Sequence, residues 1–317
     1  MTGPLWALGS GLGFGLFQSL NRRALAGMDV AVSTFLQILV SAVVLVVVSV
    51  LTVDLGLLAD APIGALLAFG LVGFIHFFVG WMLLNLGQTL IGAARTGPLL
   101  ATTPLFGAVL AAVWLQEVPG WLTVVGMALT VTGVVVLSTE READPPPESD
   151  VPSSVGQRPV VAVAAPRTRR RAGVLAALGT AMCWAVSPIF IREGLEGLPS
   201  PLLGVTVSMV AAAVVFGVVL TARRRRLQDR IDSAAALGFK VVAGLLVGLA
   251  TWMRWIALDL TTVAVVLSIN AVSVPTVLVL APVVVGRHRE RVTARVWLGA
   301  ALVVAGSLVL ILKGSGS

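Results

Sequence analysis

The chain is short of the groups from which active sites are built. Only 12% of its 317 residues are Asp, Glu, Lys or Arg, against about 25% in soluble domains. Its one cysteine, Cys183, lies within an apolar run, so no disulfide can form within a single chain. There are two histidines, His76 and His288, and no carboxylate near the centre of any apolar run. Catalysis needs a nucleophile with its base, a metal cluster or paired carboxylates. Their scarcity makes an intramembrane enzyme the weakest reading, and no metal or cofactor is expected. Nor is there a soluble domain to signal, which counts against a non-transporting sensor or scaffold, the alternative class. A cleavable leader is missing too. The first apolar run, from Gly3 to Leu20, has no basic residue before it and ends at Arg22 and Arg23, so it reads as a retained span.

What the chain has instead is hydrocarbon-compatible length, with 57% hydrophobic residues. Lipid offers no water to backbone polar groups, so apolar runs of about 20 residues must be helices. The pattern predicts an all-α membrane protein with ten transmembrane helices at about 4–21, 30–52, 62–85, 91–115, 119–138, 172–192, 201–222, 234–258, 261–285 and 293–312. Residues 139–171 differ. They carry Asp144-Pro145-Pro146-Pro147-Glu148 and end in Arg169-Arg170-Arg171, a mixture that cannot bury enough surface to fold. The expected organisation is a five-helix unit at 1–138, a disordered linker at 139–171 and a second five-helix unit at 172–317.

The two units look like copies. Pro104, Glu117, Gly126 and Gly133 in the first correspond to Pro275, Glu290, Gly299 and Gly306 in the second. From glutamate to the two glycines the spacing is nine and then seven residues both times. Leu8 through Arg22 aligns without gaps on Leu178 through Arg192, and Gly70 through Trp81 on Gly244 through Trp255. An odd number of spans per copy inverts the second relative to the first, an architecture from which transporters build alternating access. Helix one adds Gly9, Gly11, Gly13 and Gly15, two interleaved small-x-x-x-small pairs suited to close helix packing. No strand precedes them, which excludes a nucleotide-binding loop.

With these features the chain resembles the EamA-type transporters of the drug/metabolite transporter superfamily. The likeness rests on Phe14 and Trp184 in the first helix of each half, Ala93-Ala94-Arg95, Pro104 and Pro275, Glu117 and Glu290, and the glycines that follow them. The resemblance implies ten helices around a central cavity, and movement of small metabolites, amino acids, nucleotide sugars or drugs, with a leaning toward export. Small multidrug exporters of the superfamily use a glutamate in the first helix. Neither the first nor the sixth helix has one here, which counts against cation export by that route.

Charge sets the expected orientation. Seventeen of the 22 Lys and Arg residues fall in alternate loops: Arg22 and Arg23, six arginines within 139–171, Arg223 to Arg226 with Arg230, and Arg287, Arg289, Arg291 and Arg295. Basic loops stay cytoplasmic, so the linker is expected inside and both termini outside a plasma membrane. EamA-type proteins are usually drawn the other way. The net charge of +7 thus belongs to topology and lipid, not to nucleic acid. The expected partners are a small solute and the bilayer, with a homodimer left open.

Polar residues deep in lipid are costly and usually functional. His76, near the middle of helix three, is a candidate to bind solute or carry a proton. Gly73 and Gly80 on its face predict open space beside the ring. Arg254, beside Trp252 and Trp255, is a candidate ligand for a carboxylate or phosphate group, or else an interfacial anchor. Asn270 is open to the same two readings, solute contact or helix contact. Phe14 and Trp184 could line a cavity and stack on solute. Pro104 and Pro275, each near the middle of its helix, predict kinks that shape the cavity. Glu117 and Glu290, at helix ends, are expected to cap or pair.

Overall fold

The computed structural model describes residues 2–25, 28–91, 96, 99–100, 102–138, 167–222, 234–273, 275–277, 279–280 and 294–313. Among them the regular elements are helices, and there is no β-strand. Among the described residues the helices of eight or more residues are α1 (Thr2–Leu25), α2 (Val30–Thr52), α3 (Ile63–Ile91), α4 (Thr103–Trp114), α5 (Trp121–Ser138), α6 (Arg167–Gly197), α7 (Pro201–Ala222), α8 (Ala234–Leu260), α9 (Val263–Asn270) and α10 (Ala294–Lys313). Five are long and apolar enough to cross a membrane: α2, α3, most of α6, α7 and α8. Shorter apolar helices lie in α4, α5, α9 and α10.

Local chemistry sets several starts. The Asp29 carboxylate accepts from the N–H groups of Ala31 and Val32 at 3.1 and 3.3 Å and caps α2. Ser200 Oγ accepts from Leu203 N at 3.3 Å, and Pro201 takes the first position of α7, where its missing N–H is no loss. Helix α6 begins at Arg167, just after Pro166, so it absorbs the last five residues of the expected linker. Arginine is a good helix former, and the disrupting prolines end at 166.

Helix nine departs from the continuous rod expected over 261–285. Regular geometry ends at Asn270, where the N–H groups of Ala271 and Val272 turn back to Ser268 and Ile269, and helix resumes at Ser273. The break lies one turn before Pro275, whose ring crowds the Ala271 carbonyl. The helix expected over 91–115 is likewise interrupted: residues 96, 99 and 100 are helical, Thr102 is a turn, and α4 begins at Thr103 with Pro104 in its first turn. Thr102 N closes on Leu99 O just before it. Arg95, Glu290 and His288 lie outside the described residues.

The halves interlock. Helix α1 packs against α8 and α9 of the second half, and α6 packs against α3 and α4 of the first. Helix α2 packs on α8 as α7 packs on α3. Ser41 Oγ in α2 donates to Gly244 O in α8 at 2.7 Å, and Ser208 Oγ in α7 donates to Phe69 O in α3 at 2.7 Å. Each serine thus sits on the second helix of one half and reaches the third helix of the other. Glycine spacing decides the closest approaches. Gly9 and Gly13 meet Met253 and Ala250 of α8, while Gly11 and Gly15, on the opposite face, meet Asn270 and Thr276. Gly133 faces the Gly299 carbonyl, and Gly306 faces that of Gly126, so α5 and α10 cross backbone to backbone. The main hydrophobic core runs between the halves, with Phe69, Phe77, Phe216 and Trp255 among its largest buried side chains.

Candidate functional site

Helix α3 is irregular where its histidine sits. Gly73–Gly80 adopt π-helical geometry, a form that appears mostly as single turns and often at functional sites. The equivalent stretch of α8, Val247 to Arg254, stays α-helical. The wider turn changes which residues share a face. Gly73 packs on the backbone of Ser208 in α7, and Gly80 lies against the indole of Trp184 in α6. The open space expected beside His76 is therefore filled. The ring of Trp184 stacks on His76 at 5.6 Å between centroids and 20° between planes.

His76 is 3% exposed. Its Nδ1 lies 2.7 Å from Ser187 Oγ, and the roles in that bond follow from the neighbouring turn. Pro188 lies inside α6 and has no N–H for the carbonyl of Trp184, four residues back. Ser187 Oγ donates to that carbonyl at 3.3 Å. With its hydrogen spent there, its oxygen can accept from His76 Nδ1–H, the tautomer in which Nε2 is the accepting nitrogen. The edge of His76 meets Phe77 at 4.7 Å, Phe77 meets Trp81 at 5.2 Å, and Trp81 stacks on Phe17 at 6.3 Å. A line of aromatic rings thus joins α6, α3 and α1.

Arg254 of α8 is 6% exposed and within electrostatic reach of His76. Its Nε and Nη2 are buried with no hydrogen-bond partner among the described residues, as is Trp184 Nε1. Of the sequence candidates, His76 and Trp184 are thus in direct contact, and Arg254 acts on His76 electrostatically. Others lie elsewhere. Trp255 is buried against Phe69 at 5.5 Å and beside Gly204, packed into the core. Trp252 and Phe14 are half-buried against that core. Asn270 spends its amide on helix contacts: Oδ1 accepts from Ser10 Oγ at 3.0 Å, and Nδ2 donates to Val266 O at 2.9 Å and to Ala7 O at 3.4 Å. Pro275 is buried one turn beyond the break in helix nine, and Pro104 is buried in the first turn of α4.

Two polar clusters were not anticipated in this form. Lys240 of α8 is fully buried, and its Nζ donates to Asn21 Oδ1 of α1 and to Gln37 Oε1 of α2, the latter at 2.8 Å. Its trace in the sequence is a single lysine in an otherwise uncharged run from Ala234 to Met253. At the opposite end of α8, Glu117 Oε1 pairs with Arg192 Nη2 at 2.9 Å, while Oε2 accepts from Val263 N at 3.0 Å and so caps α9. Arg192 also donates to the carbonyl of Thr261. Glu117 thus caps and pairs at once. Gln116, at φ 56°, makes the turn that delivers it.

A family model, the EamA-like transporter family, matches residues 1–139 and 171–312. One solved structure, titled only as the crystal structure of a protein, shares 17% identity over 99% of this chain and 99% of its own, with a TM-score of 0.74. At that identity the likeness is one of fold. No curated protein sequence matches the chain.

Proposed function

We propose that this chain, which belongs to the EamA-like transporter family and through it to the drug/metabolite transporter superfamily, moves a small metabolite or drug across the plasma membrane by alternating access, in the export direction. The observation that carries the reading is the group formed by buried His76, Ser187 and Arg254 with half-buried Trp184. Its members come from α3, α6 and α8, hence from both matched stretches, in an all-helical apolar body. A group shared between halves is remade whenever the halves rock against each other.

In this reading all ten helices span the bilayer and the two five-helix units are inverted copies. The breaks before Pro104 and Pro275 are where each fourth helix bends. His76 and Trp184 contact solute, and Arg254 holds its charged end. Phe14, Trp252 and Asn270 border the route, and Trp255 fixes the position of Arg254 from the core side. The termini face outward, and residues 139–166 lie in the cytoplasm.

Counterflow of candidate metabolites into proteoliposomes tests the activity. Wild type exchanges at least one of them, while His76→Ala and Arg254→Ala lose exchange. Normal exchange by both variants rejects this site, and no exchange by wild type rejects transport. A reporter fused after Lys313 that works only in the cytoplasm rejects the orientation.

A further inference from the structure

Among the described residues the buried charge has one sign. Among the described residues the buried ionisable side chains are His76, Lys240 and Arg254, and no Asp or Glu is buried. Lys240 and Arg254 lie 14 residues apart on α8, close to four helical turns, so they share a face. Lys240 has two amide acceptors. Arg254 differs, because two of its nitrogens are buried without partners among the described residues. A buried guanidinium cannot shed its proton as a lysine can, so burial without a counter-charge is costly unless something supplies one.

The identity of the unpartnered atoms narrows the choice. Nε and Nη2 form the side-on edge of the guanidinium, two parallel N–H groups whose spacing matches the two oxygens of a carboxylate. Trp184 is stacked flat on the His76 imidazole, and its Nε1–H, buried against Gly80, is also without a partner among the described residues. A guanidinium edge free to donate thus acts on a histidine that also carries a flat indole surface.

We propose that the solute is a small organic carboxylate. Its carboxylate seats on the Nε–Nη2 edge of Arg254, and its apolar body lies along the Trp184–His76 layer. The inference rests on the transporter reading and adds the substrate class. It also fits export, because a carboxylate moved alone leaves a negative-inside cell down the membrane potential, about fifty-fold in concentration per 100 mV.

The test uses purified full-length protein in phosphatidylcholine, which contributes no net anionic lipid. Melting is followed with benzoate, indole-3-acetate and pyruvate, with the matched primary amides, and with the matched amines. A carboxylate that binds raises the melting temperature by mass action. The expected result is protection of wild type by at least one carboxylate and not by its amide. That protection should be roughly tenfold weaker in affinity or worse in Arg254→Lys, which keeps the charge and loses the fork. It should be absent in Arg254→Met. Protection by amides or amines alone, protection that persists in Arg254→Met, no protection by any carboxylate, or protection that needs added phosphatidylglycerol each overturns the inference. Counterflow of whichever compounds protect separates the two claims. Exchange of amines or amides keeps transport and removes the anion, whereas a carboxylate bound at Arg254 without exchange keeps the site and removes transport.

Discussion

Replacing Arg254 with methionine should make the solute-free protein more resistant to heat while abolishing transport. Arg254 is 6% exposed, and its Nε and Nη2 have no partners among the described residues. After relaxation, a buried ion still costs several kcal/mol, and replacing buried charges with apolar side chains of similar volume has stabilised proteins by about 1–4 kcal/mol. Methionine keeps most of the apolar stem, and its imperfect fit takes back about 1 kcal/mol. The net expectation is a gain of about 2 kcal/mol, or roughly 4–8 °C if the scaling for domains of a few hundred residues holds. Membrane proteins commonly unfold irreversibly, so wild type and variant are compared at one scan rate, in detergent free of small carboxylates. An equal or lower melting temperature for Arg254→Met would refute the reasoning. It would show that the guanidinium is already paired and serves the fold.

Three further outcomes follow from the packing. Asn21→Leu removes an acceptor from the buried Lys240 ammonium and should cost about 1–3 kcal/mol. Joining it with Gln37→Leu and Lys240→Met should recover much of that loss, and a triple variant that melts lower than the single one would contradict this. A Cβ on Gly133 would lie 2.7 Å from backbone atoms of α10, whereas one on Gly70 meets nothing within 4 Å. Gly133→Ala should therefore reduce the yield of monodisperse protein on size exclusion, while Gly70→Ala raises stability by about 0.5–1 kcal/mol. The reverse order would mean that the α5–α10 crossing is not close. Glu117 and Arg192 are 16% and 26% exposed, so a double-mutant cycle of Glu117→Gln with Arg192→Met should give a coupling of about 0.5–1 kcal/mol. Zero coupling would leave Glu117 as a helix cap alone.

The sequence carried the architecture further than the site. Apolar runs and their spacing located α2 and α7 to the residue, and in the structure a capping Asp29 and a Ser200-Pro201 pair stand at their starts. The glycines of helix one announced the tight seat of α1. The site was legible as residue types and not as geometry. His76 and Arg254 stand out by their cost in lipid, yet the π turn that places His76 against Trp184 has no simple signature, since Gly73 and Gly80 suit an α-helical face equally well. Asn270 and Trp255 illustrate the converse. An amide and an indole look like ligand groups in one dimension, and only the neighbouring helices reveal that Ser10 and Phe69 already occupy them. Lys240 became meaningful only once α1 and α2 were seen to bring Asn21 and Gln37 to it.

The clasp of α1 between α8 and α9 has a consequence for biogenesis. The glycine grooves of α1 are finished within the first 25 residues, but the surfaces that fill them are more than 220 residues further along. At about 5–20 residues per second, that is a wait of roughly 10–45 s. Over that interval the nascent helix has no protein partner for its small-residue faces, so a holding factor or the insertion machinery itself must shelter it. Ribosome pausing within 139–166 would lengthen the exposure, and shortening that stretch is a handle on how much chain is lost to degradation before the clasp closes.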